Sequence, residues 1–240
     1  MKHMKLRLHH LFLFILSFVA FTAAGQTCPG FTFNTQLEID GYVSNEFPCT
    51  EISGDLIFDG FDITDITTFS TIKSIDGSLI IRNTSVAHMT NVFYHLESIA
   101  GDLSIEFNPD LSGIVDFPKL QSIGGEFDIR QNPSLVSITG CDNLKAVGDY
   151  FEIEYNAVLV SIDAFPSLEY VNQDFEIRHN PLLPSISGFN NLMEIGFDYE
   201  IEYNDALSHI SGFNNLREVG DEFEIDENEQ IASIPSFPEL

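Results

Sequence analysis

The sequence is poor in basic residues and has no tryptophan. It contains 10 Lys and Arg against 37 Asp and Glu, which gives a formal net charge of -27 at pH 7. Nucleic acids and anionic membranes are bound through basic patches that neutralise phosphate, so this composition argues against both as partners. Cationic ligands, divalent ions and neutral glycans remain compatible with the charge. The 22 Phe and the hydrophobic content of 44% predict a packed core and not a disordered chain.

Long apolar runs are also scarce. The one such run, from Leu11 to Ala24, is shorter than the roughly 20 residues that a membrane span needs. Lys2, Lys5 and Arg7 precede the run, and small residues stand at its end. This order predicts a signal peptide over residues 1–25, and therefore a secreted or cell-surface protein.

Cysteine occurs only three times. Cys28 and Cys49 flank a short N-terminal segment, and in an exported protein this arrangement predicts a disulfide. Thr35 and Glu38 form a capping-box pattern between them, which predicts a short helix. We interpret residues 26–51 as a disulfide-stapled cap that covers the N-terminal end of the remaining chain.

The rest of the chain, residues 52–240, is a repeat. Eight similar segments, beginning with DLIF and ending with EFEI, recur at a spacing of 23 residues once and 24 thereafter. Their second residues are Leu56, Leu79, Leu103, Phe127, Phe151, Phe175, Tyr199 and Phe223. A fixed period of this length is typical of a solenoid, in which each repeat is one coil that cannot bury its apolar side alone.

Apolar columns run through the repeats. In each segment a second apolar residue lies two positions later, for example Ile129 after Phe127, and this alternation predicts a half-buried strand. Further apolar columns recur about every third position, without the periodicity of a helix. We therefore predict an all-β, right-handed β-solenoid of about eight 24-residue coils. Cys141 occupies an aromatic column, which predicts a buried thiol. Gly148 and its equivalents precede the strand, where we expect a tight turn.

An asparagine follows the strand in six successive repeats. A bend that recurs in every coil leaves backbone groups that need partners, so we predict that these side chains form an internal ladder. The column consists of Asn108, Asn132, Asn156, Asn180, Asn204 and Asn228.

The run IGGEFDIRQN from Ile123 to Asn132 resembles the core of a leucine-rich repeat. Two residues, not one, separate Asn132 from Leu135, and the repeat has no helical half. These departures make the chain more similar to receptor L-domains, the ligand-binding modules of insulin-receptor and epidermal-growth-factor-receptor type, and similar repeats occur in secreted bacterial surface proteins. The resemblance covers roughly residues 50–240 and implies an extracellular binding module. Because Leu240 lies inside a repeat, we expect a further domain or a capping partner after it.

Strand residues between the apolar columns should point outward, and most of them are acidic. In the last five coils these residues form three rows, whose first members are Glu126, Asp128 and Arg130. Phe107, Tyr155, His179 and Tyr203 form an aromatic border beside them. The candidate binding face consists of Asp128, Arg130, Glu152, Glu154, Tyr155, Glu176, Arg178, His179, Glu200, Glu202, Tyr203 and Glu224.

The face has several interpretations. It could be a solvated surface that keeps the sheet soluble, a docking surface for a basic protein, or a set of carboxylates that share Ca²⁺. The aromatic border could stack on sugars, anchor a protein, or simply cover the bend. No metal site or cofactor other than Ca²⁺ is indicated.

We predict a non-enzymatic recognition or adhesion module that binds a protein or glycan, because the acids recur as near copies and not as a few distinct groups in a pocket. The alternatives are a structural spacer or adhesin segment, with or without stabilisation by Ca²⁺, and, as the least favoured, a carbohydrate-active enzyme.

Overall fold

The computed structural model describes residues 25–43, 49–233 and 236–240. The predicted signal peptide thus lies, apart from Gly25, outside the described residues. In chain order the elements are β1 (Gln26–Phe33), α1 (Gln36–Val43), β2 (Cys49–Asp59), a 3-10 helix (Thr67–Thr71), β3 (Ser74–Ile75), β4 (Leu79–Arg82), β5 (Met89–Thr90), β6 (Ser98–Ile99), β7 (Leu103–Glu106), β8 (Gly113–Val115), β9 (Ser122–Ile123), β10 (Phe127–Arg130), β11 (Ser137–Thr139), β12 (Ala146–Val147), β13 (Phe151–Glu154), β14 (Ser161–Asp163), β15 (Tyr170–Val171), β16 (Phe175–Arg178), β17 (Ser185–Ile186), β18 (Glu194–Ile195), β19 (Tyr199–Glu202), β20 (His209–Ile210), β21 (Glu218–Val219) and β22 (Phe223–Asp226).

The coils stack through a principal sheet of parallel strands, which are β2, β4, β7, β10, β13, β16, β19 and β22. Equivalent residues of successive coils lie opposite one another, as Phe127 lies opposite Phe151 and Asp128 opposite Glu152. The chain is therefore a parallel β-solenoid of about eight coils, which confirms the predicted architecture.

Two shorter sets of strands complete each coil. A second side is formed by the two-residue strands β3, β6, β9, β12, β15, β18 and β21. A third side is formed by β5, β8, β11 and β14, together with the pair β17 and β20. The long strand β2 belongs to two sides, because Ile52 pairs with β3 while Leu56 to Asp59 pair with β4. Each coil thus consists of short extended segments joined by bends, as the spacing of the apolar columns predicts.

The interior combines aliphatic columns with columns of stacked aromatic rings. Phe127, Phe151 and Phe175 lie parallel, with 4.8 and 4.9 Å between successive ring centroids. Phe165 meets Phe151 edge-on at 4.9 Å. Each fully buried Phe contributes about 1.5–3 kcal/mol relative to an exposed one, so the columns supply much of the driving force for stacking. Cys141 is buried in the column of Phe165, and this burial raises the pKa of its thiol well above the usual range.

The glycines before the principal strand serve a different purpose from the predicted one. A Cβ on Gly148 would lie 2.1 Å from the carbonyl oxygen of Gly124, and one on Gly196 would lie 1.9 Å from that of Asn172. Neither glycine has a positive φ. Glycine suits Gly148 and Gly196 because the backbones of successive coils touch there, and not because the chain needs a left-handed turn. Ala100 and Asn172 occupy the equivalent position in two other coils.

The N-terminal cap contains both a strand and a helix. A disulfide joins Cys28 in β1 to Cys49 at the start of β2. Thr35 Oγ1 accepts a hydrogen bond from the Glu38 amide at 3.3 Å, as in a capping box, but the Glu38 carboxylate accepts from the amide of Asn34 at 2.6 Å. The sequence did not predict β1, which pairs in parallel with β2 and extends the principal sheet by one strand.

Candidate ligand-binding face

The outer surface of the principal sheet carries the side chains that alternate with the core. In β10, Phe127 and Ile129 point into the solenoid, whereas Asp128 and Arg130 lie on the outside. The prediction of an outward row is therefore correct in direction. It is wrong in exposure for several residues, because Asp128, Glu154 and Glu176 are only 1%, 7% and 6% exposed. Side chains of neighbouring coils stand about 4.8 Å apart and cover one another.

Arg130 holds the first of two charge clusters. Its Nη2 lies 3.1 Å from Glu106 in the preceding coil, its Nε 3.3 Å from Asp128 in its own strand, and its Nη1 3.9 Å from Glu152 in the next coil. One guanidinium thus serves three carboxyl groups, which leaves an excess of negative charge.

Arg178 repeats this arrangement two coils further on. Its Nε donates to Glu154 at 2.6 Å, its Nη1 pairs with Glu200 at 2.5 Å, and its Nη2 contacts Glu176. Arg82 occupies the same row in an earlier coil and pairs with Asp59 at 2.9 Å. The row therefore alternates between acid and arginine, in the order Asp59, Arg82, Glu106, Arg130, Glu154, Arg178 and Glu202. Asp226 breaks the alternation, since it stands where the next arginine would fall.

Two carboxyl groups in these clusters bind protons unusually tightly. Burial raises the pKa of Asp128 to about 7, against the smaller lowering effect of Arg130. Burial likewise raises the pKa of Glu176 to about 8, and the neighbouring charges of Glu152 and Glu200 add to the effect of burial. A single arginine cannot hold three nearby carboxyl groups ionised, so the most enclosed group of each cluster retains its proton most readily.

The row that precedes the principal strand has a structural role. Asp102 Oδ1 accepts a hydrogen bond from the amide of Glu126 at 3.0 Å. Asp174 accepts from the amide of Asp198 at 3.0 Å, and Asp198 from that of Glu222 at 2.8 Å. These carboxylates therefore link one coil to the next. This role was not predicted from the sequence, in which the row belonged to the acidic surface; the recurrence of a short polar side chain before the strand was the available signal.

The asparagine column forms the expected ladder. Asn156 Nδ2 donates to the carbonyls of Ile129 and Glu154 at 3.0 and 2.9 Å. Its Oδ1 accepts from the amide of Asn132 at 3.2 Å. The same pattern recurs for Asn108, Asn132, Asn180 and Asn204, all with 0% exposure. The ladder is therefore internal and is not a polar binding row.

The aromatic border lies in the residue just before each asparagine. Tyr155, His179 and Tyr203 have φ values of 53°, 55° and 53°, a left-handed conformation that is uncommon for bulky residues. Their rings form a ladder: 4.4 Å separates the centroids of Tyr155 and His179, and 4.6 Å those of His179 and Tyr203, with planes within 13° of parallel. Tyr155 and Tyr203 are 48% and 43% exposed. Phe107 shares the conformation, but Gln131 separates it from the ladder.

The acidic residues of the face thus divide into three groups: buried, half-buried, and without a basic partner. Asp128, Glu154 and Glu176 are buried beneath the arginines, and Glu152 and Glu200 are half-buried beside them. Glu202, Glu224 and Asp226 have no Lys or Arg within ion-pair distance among the described residues. Burial, followed by a hydrogen bond with Glu224, raises the pKa of Glu202. The unpaired acids lie at the Tyr203 end of the aromatic ladder.

Neither a metal centre nor a membrane helix is found in the part of the chain that the structure describes. Within it, no group of three or more His, Cys, Asp or Glu side chains is arranged to hold a metal ion. Nor is any described helix long and apolar enough to cross a bilayer.

Comparison with known proteins connects this architecture to one family. Residues 48–137 match the family model described as Receptor L domain. The chain is a receptor L-domain-like repeat protein. No match was found among curated proteins or among solved structures. Receptor L-domains are extracellular ligand-binding modules, so the family suggests the same general role here. The match includes Arg130 with its partners Glu106 and Asp128, whereas Glu152, the aromatic ladder and Arg178 lie in later coils that repeat the same geometry.

Proposed function

We propose that this receptor L-domain-like protein is an extracellular recognition module that binds a protein ligand on the outer surface of its principal sheet. The observation that carries the proposal is the ladder of Tyr155, His179 and Tyr203. Its two tyrosines are exposed, His179 is half-buried between them, and carboxylates without a Lys or Arg partner lie at one end. Rigid aromatic side chains offer a large contact area at little cost in conformational entropy, and they are enriched among the residues that dominate binding energy.

Export to the cell surface or the surrounding medium is part of the proposal. The basic residues and apolar run of residues 1–25 have the order of a signal peptide. The Cys28–Cys49 disulfide adds independent support, because such bonds persist in oxidising compartments and are rare in the cytosol.

The electrostatics favour a cationic ligand. In the first six coils, Arg82, Arg130 and Arg178 neutralise part of the acidic row. In the last two, Glu202 and Asp226 face each other across adjacent strands without an intervening cation. Two carboxylates that stand about 4.8 Å apart, the spacing of adjacent strands, repel by roughly 0.9 kcal/mol in water before salt screening. A Lys or Arg of the ligand would relieve that repulsion in the way that Arg178 does one coil earlier.

Binding is proposed in preference to catalysis because of the environment of the perturbed carboxyl groups. Asp128 and Glu176 have pKa values near neutrality, but both are buried against an arginine of their own chain. General acid–base catalysis needs such a group within reach of a substrate in an open pocket.

A second candidate is a structural spacer or adhesin segment, including one that Ca²⁺ stabilises. It is favoured by the hydrogen bonds of Asp102, Asp174 and Asp198, which use acidic residues to join coils and not to meet a ligand. A Ca²⁺-specific rise in melting temperature, with Mg²⁺ as the control, would support this alternative, because a ligand stabilises a protein according to its affinity.

Charge reversal on the exposed end of the face tests the proposal. The full chain is passed over an array of extracellular proteins by surface plasmon resonance, together with the double variant Glu202→Lys/Glu224→Lys. The matched control, Asp142→Lys/Asp163→Lys, changes the same charge at exposed positions away from the principal sheet.

We expect the face variant to weaken binding of the array ligands by at least about tenfold, or about 1.4 kcal/mol, while the control retains wild-type affinity. Ligands that bind the wild type and both variants equally would contradict the proposal. An array without any ligand, combined with Ca²⁺-specific stabilisation, would favour the structural alternative.

A further inference from the structure

A stripe of exposed aliphatic side chains follows the aromatic ladder around the bend of the solenoid. Val136 and Val160 occupy equivalent positions in adjacent coils and are 44% and 43% exposed. The amide of Val160 donates to the Val136 carbonyl at 2.9 Å, so the two residues stack directly. Leu182 in the next coil is 50% exposed, and Pro184 beside it is also exposed.

The stripe is confined to the coils of Tyr155 and His179 and to the coil that precedes them. Val160 follows Tyr155 by five residues, and Leu182 follows His179 by three. Pro184 occupies the position of Val136 and Val160 in the next coil, and the coils before and after these three have Ser112 and Ser208 there. Single exposed aliphatic residues are ordinary on protein surfaces, but a contiguous group bordered by polar residues marks an interaction site.

The ladder itself limits what can bind beside the stripe. Because Tyr155, His179 and Tyr203 stack face to face at 4.4 and 4.6 Å, the faces between them are already occupied. A sugar ring needs such a face to stack on. What the ladder presents outward is ring edges and the polar tips of the rings, which suit aliphatic and polar groups of a protein chain.

Three strips therefore follow one another along these coils: the acidic outer surface of the principal sheet, the aromatic ladder, and the aliphatic stripe of Val136, Val160, Leu182 and Pro184. We infer that this composite surface docks a basic, aliphatic-rich protein segment, whose cations meet the acidic strip and whose apolar side chains cover the stripe. This inference rests on the proposed function and adds the chemistry of the ligand. A second copy of the chain does not fit, because its net charge of -27 has the same sign as the acidic strip.

Two synthetic peptides of equal length and equal lysine content serve as probes. In one the lysines alternate with leucine, and in the other they alternate with serine. Both are titrated by fluorescence anisotropy against the full wild-type chain, the stripe variant Val160→Ser/Leu182→Ser, and the control Val115→Ser. Val115 is a 50% exposed valine that lies outside the stripe. A milder stripe variant, Val160→Thr/Leu182→Gln, repeats the test should the first one unfold.

We expect the wild type and the Val115→Ser control to bind the leucine peptide at least about tenfold more tightly than the serine peptide. In both stripe variants we expect this ratio to approach one while the serine peptide keeps its affinity. A ratio near one in the wild type, or an unchanged ratio in the stripe variants, would overturn the inference.

The Glu202→Lys/Glu224→Lys variant separates this inference from the proposed function. Weaker binding of both peptides to that variant, together with a leucine preference that survives the stripe variants, means that the acidic strip binds and the stripe does not. Equal binding of both peptides to that variant and to the wild type would count against the proposed function itself.

Discussion

Arg178 Nε donates to Glu154 Oε1 across 2.6 Å, and the two residues belong to strands of adjacent coils. The same guanidinium contacts Glu176 and Glu200, so one cation links three successive strands of the principal sheet. Its role is therefore to hold coils together as well as to neutralise charge.

Replacing Arg178 with glutamine should destabilise the fold at pH 8. Three carboxyl groups would lose their cation, and a buried charge deprived of its partner typically costs about 3–5 kcal/mol. Because Arg178 is partly exposed, we expect about 2–4 kcal/mol in the free energy of unfolding by urea, and less at pH 5, where Glu176, with its pKa of about 8, holds its proton. The control is Arg217→Gln, which breaks an exposed pair with Glu194 and should change stability little. Equal losses in the two variants would refute this role for Arg178.

The stability of the protein should depend on pH through Asp128 and Glu176. Their pKa values rise on folding from 3.8 and 4.5 to about 7 and about 8. Between pH 4 and pH 8 the folded chain thus binds protons that the unfolded chain releases, so the free energy of unfolding falls as the pH rises through this range.

Asp128→Asn and Glu176→Gln remove these titrations. Each variant should lose less stability than the wild type between pH 5 and pH 9, and each should be the more stable protein at pH 9. Urea unfolding at the two pH values measures the difference, with Asp142→Asn at an exposed position as the control. A pH slope that stays the same in both variants would show that other groups produce it.

Asn156→Ala should be strongly destabilising. It removes the donor to the carbonyls of Ile129 and Glu154 and the acceptor for the amide of Asn132, all of them in the ladder. Each buried group left without a partner costs about 1–3 kcal/mol, so we expect a loss of at least about 3 kcal/mol in thermal or urea unfolding. Asn143→Ala is the control, because this exposed side chain donates one hydrogen bond to the carbonyl of Pro118. The ladder would be dispensable if both variants melted together with the wild type.

Gly148→Ala should disrupt the stacking of coils. The added Cβ would lie 2.1 Å from the Gly124 carbonyl oxygen, so the backbones would have to separate. Gly113→Ala offers a matched comparison, since the nearest atom to its Cβ would be Ser137 Oγ at 3.8 Å. We expect a fall in melting temperature for the first variant and almost none for the second. Similar melting temperatures for the two would mean that the coils can move apart at no cost.

The architecture was predictable because each coil repeats the same side-chain pattern. Columns such as Phe127, Phe151 and Phe175 show the period, the strand and its buried face at once. The asparagine ladder was predictable for a related reason, since a recurring bend leaves the same backbone groups without partners in every coil.

Other features depend on distances between coils, which a single repeat does not reveal. The burial of Asp128 results from cover by its neighbours, and the requirement for Gly148 results from contact with Gly124. The stacked rings of Tyr155 and His179 likewise depend on a left-handed backbone conformation. The side chain at that position varies from coil to coil, so the sequence does not reveal the conformation. The strand β1 has no counterpart in the repeat and so gave no periodic signal.

The alternation of acid and arginine along the outer row makes the electrostatic repeat twice as long as the structural one. Removal of a single coil between Arg130 and Arg178 would bring these two cations into adjacent strands, although every apolar column would still align. Removal of two coils would preserve both patterns. The solenoid should therefore tolerate the insertion or deletion of an even number of coils in this part of the chain better than that of an odd number.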